Sequence, residues 1–185
     1  MTITTPFASV GQMSQRSRGV ITLSSHPFLY DELAAASQLI RDECRWHVAT
    51  KEPLRFRKTW GTRELVYLPA MEIDAITKVT IGDVEWDTDQ LATVEFDRDT
   101  GWTNLCGRKV DIEYTAGFET VPASLVTLTL QIAARALGSP LGEVREQTLV
   151  SSVQWSATAP GVAGGAVILD HEKTTLTPYI LGRLP

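Results

Sequence analysis

The sequence predicts an α+β fold with two main amphipathic helices, at about 28–48 and 122–137, packed together with a small antiparallel sheet inserted between them. In both of these helical segments, apolar residues recur at helical spacing. Between them the pattern changes to alternation, which is typical of half-buried strands. Outside them the chain is polar or rich in Ala, Pro and Gly. We therefore divide it into an N-terminal arm (1–26), an α+β core domain (27–140) and a C-terminal extension with a docking tail (141–185).

The first helix is predicted to begin between Pro27 and Asp31, because Asp31 and Glu32 suit the positive end of a helix dipole. One apolar stripe runs along it: Leu29, Leu33, Ala36, Ile40 and Cys44. The opposite face is expected to hold the charged residues Arg41, Asp42, Glu43 and Arg45.

The sheet is predicted from several short alternating runs between residues 54 and 114. One strand is expected to turn a single face inward, formed by Ile73, Ala75, Thr77, Val79 and Ile81. Gly82-Asp83 then offers a two-residue hairpin turn. In the last strand Val110, Ile112 and Tyr114 alternate with polar residues.

The second helix is predicted from Pro122, whose fixed φ suits a first helical position, to Gly138 and Pro140, which end the run. Its apolar residues predict a helix that packs against the core and against a neighbouring subunit: Leu125, Leu128, Ile132 and Ala136. Thr127 and Thr129 are expected to face a neighbour or solvent.

The charged and metal-binding residue types form no recognisable site in the sequence. The basic cluster of Arg55, Arg57, Lys58 and Arg63 is interpreted as a strand face or protein interface, and the net charge of −5 argues against a grip on nucleic acid. Asp97 to Gly101 is interpreted as a turn rather than a calcium loop. No cofactor, metal site or catalytic residue is predicted. Cys44 and Cys106 are expected to be free thiols, with a disulfide between them as the alternative, and neither a signal peptide nor a membrane span is expected.

Three segments of the predicted elements stand out: ELAAASQLIRDECRWHVA at 32–49, LPAMEIDAITKVTIGDVEW at 68–86 and IEYTAGFETVPASLVTLTLQIAARAL at 112–137. Together they resemble the head-to-tail connector, or adaptor, proteins of long-tailed bacteriophages. The first is similar to the family's Ala-Ser-x-x-Ile-Arg-x-x-Cys-Gly-Trp run, the second to its strand pair, and the third, a strand, turn and helix, is the closest match. Arg45 stands where the family has glycine, so the first helix is expected to run about a turn further here.

The resemblance implies a structural virion protein that lies in the neck, at the head–tail junction. During assembly such a protein is located in the host cytoplasm. Such proteins form a ring, commonly dodecameric, between the portal protein and a tail-side neck protein (the stopper), and genomic DNA passes through without specific binding. The apolar end of the chain, beyond an Ala/Pro/Gly-rich linker, is expected to dock on the portal: Leu176, Tyr179, Ile180, Leu181 and Leu184. A tail that folds back on its own chain is the alternative.

Two other functions remain open from the sequence. One is another ring-forming neck or tail protein, a stopper or tail terminator, which would be mainly β. The other is a small enzyme that uses the carboxylates of the sheet region. These carboxylates are Asp83, Glu85, Asp87, Asp89, Glu95, Asp97 and Asp99.

Overall fold

The computed structural model describes residues 5–48, 50–59, 65–138, 145–147, 152–154 and 167–182. It confirms the predicted α+β class. Within these residues, five α-helices accompany a four-stranded antiparallel sheet and two two-stranded sheets.

The helices are α1 (Val10–Arg16), α2 (Leu29–Cys44), α3 (Thr88–Leu91), α4 (Ala123–Gly138) and α5 (Asp170–Leu176), with a 3₁₀ turn at Thr177–Tyr179. The strands are β1 (Glu52–Lys58), β2 (Leu65–Tyr67), β3 (Ile73–Ile81), β4 (Val84–Glu85), β5 (Trp102–Cys106), β6 (Val110–Ala116), β7 (Arg145–Gln147) and β8 (Ser152–Gln154). The sequence also predicts a strand over 149–155 in the C-terminal extension; β8 covers part of it, and the rest of that stretch lies outside the described residues.

The chain divides into two compact units. The helical unit comprises Met1–Glu43 and Pro122–Pro178, and the sheet unit comprises Cys44–Val121 and Tyr179–Pro185. This grouping differs from the predicted division into an arm, one core domain and an extension. Each unit joins segments that are distant in sequence.

Helix α2, which lies in the helical unit except for its last residue, Cys44, buries the predicted apolar stripe. All five residues from Leu29 to Cys44 in that stripe are at most 1% exposed, which confirms the predicted face. The position predicted for Arg41 is wrong, because this residue is only 7% exposed. Its guanidinium carbon lies 4.2 Å from the centroid of the Phe7 ring, and its Nη2 donates a hydrogen bond to the Thr5 carbonyl at 2.9 Å.

The described part of the N-terminal arm packs against α2 of the same chain. Phe7, Ala8 and Met13 are buried, and the Phe7 N–H donates to Ser37 Oγ at 2.9 Å. Ser9 caps α1 in a reciprocal arrangement with Gln12, which satisfies two backbone N–H groups at the helix start. Periodicity could not predict this packing, because the apolar residues of the arm are scattered and only three of the described ones are buried.

The expectation that α2 runs a turn further is also wrong. The helix ends at Cys44, and Arg45 has a φ of 65°. That left-handed conformation ends helices and is normally taken by glycine. Arg45 therefore stops the helix in the conformation that a glycine would adopt there.

Helix α4 lies within one residue of its predicted bounds at each end and is the most apolar helix of the helical unit. Leu125, Leu128, Ile132 and Ala136 are all buried. Thr129 is buried too, and its hydroxyl donates to the Leu125 carbonyl at 2.8 Å, so its predicted outward position is wrong. Thr127 is half-buried.

In the sheet unit, the four-stranded sheet has the order β1-β6-β3-β4 and every neighbouring pair is antiparallel. The central strand β6 buries Val110, Ile112, Tyr114 and Ala116, as its alternation predicts. The turn predicted between β3 and β4 is confirmed: Gly82 and Asp83 have φ values of 61° and 71°, as a type I′ hairpin requires.

The single inward face predicted for β3 is interrupted by irregular pairing. The register with β6 shifts between Ile76 and Lys78, so that Ile76 lies opposite Tyr114 while Val79 lies opposite Ile112. Thr77 is exposed at this point, and its hydroxyl donates to the Glu113 carbonyl at 3.0 Å. The extra residue of a bulge changes which side chains face inward, and strict alternation cannot reveal it.

A second, two-stranded sheet joins β2 and β5. Gly101 precedes β5, and its carbonyl accepts a hydrogen bond from the Leu68 N–H at 2.7 Å. A Cβ at this position would lie 2.1 Å from the Leu68 carbonyl oxygen, so only glycine fits.

Candidate interaction surfaces

The C-terminal segment of the helical unit is held by a buried ion pair between α4 and α5. Arg135 donates from Nη1 and Nη2 to the two carboxylate oxygens of Glu172, at 2.9 and 3.0 Å. Arg135 also donates to the Val167 carbonyl, and the Leu169 N–H donates to Glu172 at 2.8 Å. Burial opposes the charged form of Glu172, but these hydrogen bonds outweigh it and lower its pKa.

This packing contradicts the docking role predicted for the part of the tail that belongs to the helical unit. Leu176, at the end of α5, is fully buried, so it is not free to dock on a partner. The sequence also allows a short strand at 167–169, but no strand forms there, since Leu169 is the N-cap residue of α5. A shallow groove of about 490 Å³ lies between α4 and α5, lined by Thr127, Gln131, His171 and Thr175 among others.

The last described residues belong to the sheet unit and are also anchored there. The Leu181 N–H donates to the Cys44 carbonyl at 2.9 Å, and Trp46 Nε1 donates to the Tyr179 carbonyl at 2.7 Å. Phe118 makes ring contacts with both Trp46 and Tyr179, at centroid distances of 5.7 and 5.9 Å. Leu181 is buried, Tyr179 and Ile180 are half-buried, and Leu184 lies outside the described residues. The alternative of a tail that folds back on its own chain therefore describes 167–182.

One face of the four-stranded sheet carries paired charges. Arg55 forms two hydrogen bonds with Asp111, at 2.7 and 2.6 Å, and Arg57 donates to the same carboxylate at 2.9 Å. The two hydrogen bonds from Arg55, followed by the one from Arg57, lower the pKa of Asp111 to about 2. Much of the predicted basic cluster is thus neutralised on the sheet itself. Arg63 lies outside the described residues.

Most carboxylates of the predicted acidic cluster have structural partners. Asp83 pairs with Lys109 at 2.7 Å, and Glu85 pairs with Lys78 at 2.8 Å. Asp87 caps α3 by accepting from the Gln90 N–H. Asp97 accepts from the N–H groups of Thr100 and Asp99, which lower its pKa and close the predicted turn.

The remaining candidate side chains are dispersed. His26 Nδ1 lies 2.9 Å from Ser25 Oγ, the His47 ring packs edge-on against Trp46, and His171 is exposed. In the described part of the chain, no group of three or more His, Cys, Asp or Glu residues is placed to hold a metal ion. Cys44 is buried and Cys106 is exposed, and both are free thiols as predicted.

An exposed apolar surface on the helical unit was not anticipated from the sequence. It lies in the connection from α1 to α2 and at the start of α2. We call it the apolar loop; its exposed large side chains are Val20, Leu23, Phe28 and Tyr30. The sequence signal was weak because these residues follow neither the helical nor the strand period.

No model of a known protein family matches the chain, and no curated protein matches it in sequence. Among the described residues, none of the helices is both long enough and apolar enough to span a membrane.

Proposed function

We propose that this chain is a head-to-tail adaptor of a long-tailed bacteriophage. In this proposal, copies of the chain form a ring, commonly a dodecamer in such proteins, between the portal protein and a tail-side stopper. Genomic DNA passes through the ring without specific binding. The protein belongs to the virion neck, is assembled in the host cytoplasm, and carries out no catalysis.

The observation that carries the proposal is the order of the elements in the three segments that resemble the adaptor family. They fold as helix α2, as the β3–β4 hairpin, and as strand β6 followed in sequence by a turn and helix α4. In the last of these, Gly117 follows β6 with a φ of 124°, and α4 begins directly after Pro122. The turn and proline of the resembling motif therefore have defined roles in this chain.

The balance of secondary structure favours an adaptor over a stopper or tail terminator. Those alternatives would be mainly β, whereas helices contain more of the described residues than strands do. The charge pattern is compatible with a conduit for DNA, since the sheet face pairs its arginines with carboxylates and the chain as a whole has a net charge of −5.

The proposed contact with the portal no longer includes the two buried leucines. Leu176 and Leu181 are enclosed within the chain, so the portal-facing surface has to be formed by other residues.

Co-expression with the portal protein encoded by the same genome tests the function. We expect the two proteins to co-purify, and we expect negative-stain images to show a ring with an open central channel stacked on the portal. A chain that neither binds the portal nor forms rings in its presence would refute the proposal. Neighbouring genes for a portal and a capsid protein would support it independently.

A further inference from the structure

We propose that the apolar loop is a preformed docking surface for a second copy of this chain, and that its counterpart is the acidic segment around α3. The proposal rests on the proposed function, since it assigns the contact by which copies join. It names two different surfaces, so the association is head-to-tail, which closes into a ring when the rotation between copies allows.

The apolar loop is exposed. Val20 is 70% exposed, Phe28 69%, Leu23 51% and Tyr30 41%. Only three other large hydrophobic residues of the described chain are comparably exposed, and they are scattered. A concentration of large apolar side chains on a surface marks an interaction site.

Hydrogen bonds within the chain order the apolar loop without a partner. Ser17 Oγ accepts from the Ile21 N–H at 2.9 Å, and Ser25 Oγ donates to the Val20 carbonyl at 2.9 Å. The His26 N–H donates to the Thr22 carbonyl at 2.8 Å. A surface that is already ordered loses little conformational entropy on binding, so its apolar side chains contribute more fully to affinity.

The charge of the apolar loop is positive. Residues 16–30 contain Arg16 and Arg18 and no carboxylate, and the first acidic residues beyond them are Asp31 and Glu32 in α2. Both arginines are exposed, and neither forms an ion pair with a described residue. The loop therefore suits an acidic partner that also offers apolar area.

The sheet unit carries an acidic surface of this kind. Residues 83–101 hold seven carboxylates against one arginine, Arg98. We call this stretch the acidic segment. Unlike Asp83 and Glu85, the exposed side chains of Asp89, Glu95 and Asp99 form no ion pair with a described residue. Val84, in the same stretch, is 63% exposed and provides apolar area.

These surfaces complement each other, and both are exposed in the single chain. A new ion pair contributes little to the free energy of association when its charges are already paired within the chain, as Arg55 and Asp111 are. It contributes more when both partners are unpaired, as are the arginines of the loop and the three carboxylates of the acidic segment. Opposite potentials on two patches of one chain favour association in a fixed register.

Charge reversal tests the pairing. We would measure self-association of the full chain by sedimentation over a wide concentration range at low and at physiological salt. The loop variant Arg16→Glu/Arg18→Glu and the segment variant Asp89→Lys/Asp99→Lys are each expected to weaken self-association by about tenfold or more. Phe28→Ala is expected to weaken it by a similar factor at either salt concentration.

A mixture of the two charge-reversed variants is the decisive measurement. In a head-to-tail contact, the reversed loop of one variant meets the reversed segment of the other, and the remaining pair is native. A 1:1 mixture should therefore recover the wild-type association, and so should a chain that carries all four substitutions. Arg108→Glu, an exposed charge reversal in the β5–β6 turn, is the matched control and should leave association unchanged. Thermal melting checks that each variant is folded.

Several results would overturn the inference. These are a wild-type chain that stays monomeric throughout, variants that associate like the wild type, and a mixture that fails to recover. Loop variants that self-associate normally but no longer bind the portal would assign the loop to the portal instead. A wild-type chain that assembles through these surfaces yet fails to bind the portal would refute the adaptor function and leave the inference intact.

Discussion

Arg45, which follows the last residue of α2, has a backbone conformation that suits glycine better than arginine. Its φ of 65° lies in the left-handed region, where a Cβ crowds the following carbonyl at a cost of about 1–2 kcal/mol. Its side chain is exposed and has no hydrogen bond or ion pair with a described residue that would offset this cost. The strain is therefore removable.

Arg45→Gly is expected to stabilise the protein by about 0.5–1 kcal/mol, because relief of the strain exceeds the extra chain entropy of glycine in the unfolded state. Urea denaturation measures the change. Arg45→Ala is the matched control: it also removes the arginine but keeps the Cβ, so it should not stabilise. Equal effects of the two variants would contradict the backbone explanation.

Asp111 controls how the sheet face responds to acid. Its pKa is lowered from 3.8 to about 2 in the folded protein, mainly by the hydrogen bonds from Arg55. A lowered carboxyl pKa stabilises the fold fully above the unfolded value, and this contribution is lost as the pH falls through the folded value. The contribution of Asp111 should therefore disappear between about pH 4 and pH 2.

Asp111→Asn tests this pH dependence. The variant should melt below the wild type at pH 6, and the difference should shrink as the pH approaches 2. A difference that stays constant across this range would show that Asp111 acts through its shape and not through its charge.

At the scale of elements, the contact between α4 and α5 depends on one ion pair that bridges 37 positions of sequence. The Glu172 side chain is 5% exposed and that of Arg135 is 15% exposed. Removing one partner leaves a buried charge without compensation, at a cost of about 3–5 kcal/mol. Replacing both with apolar residues of similar size avoids that cost.

We therefore expect Arg135→Met and Glu172→Leu each to destabilise the protein by about 3 kcal/mol or more, and the double variant to be less destabilised than either single variant. The free energy of unfolding from urea denaturation gives all four corners of the cycle. Additive effects would mean that the two side chains act independently, against the geometry described above.

Elements that depend on local patterns were predictable from the sequence. The buried stripe of α2, the alternation of β6 and the turn at Gly82-Asp83 all follow from spacing within a few residues. Arg41 was misplaced because its partners, Phe7 and Thr5, lie more than thirty positions away and convert a polar position into a buried one. The apolar loop was missed for a related reason: exposure of Phe28 and Val20 depends on what the rest of the fold leaves uncovered.

At the scale of the molecule, chain order was a poor guide to which segments fold together. The helical unit combines the N-terminal segment with α4 and α5, and the sheet unit contains the last described residues, 179–182. The sequence alone predicts arms at both ends, because each end lacks a continuous apolar face. A few long-range contacts suffice to order such segments when their large side chains are buried, as Met13, Leu176 and Leu181 are.

Truncation tests whether the C-terminal segment belongs to the fold. A chain that stops after Asp170 loses Leu176 and the Glu172 partner of Arg135 from the helical unit, and Leu181 from the sheet unit. Loss of one buried leucine side chain costs about 2–5 kcal/mol, and domains are stable by only about 5–15 kcal/mol. We therefore expect the truncated chain to be unfolded or insoluble at room temperature.

A chain that stops after Gly182 keeps every described contact and should melt like the wild type. Leu176→Ala should lower the melting temperature without abolishing folding, because it creates a single cavity. If the chain that stops after Asp170 melts at the wild-type temperature, the segment is a docking tail and its packing in the isolated chain contributes no stability.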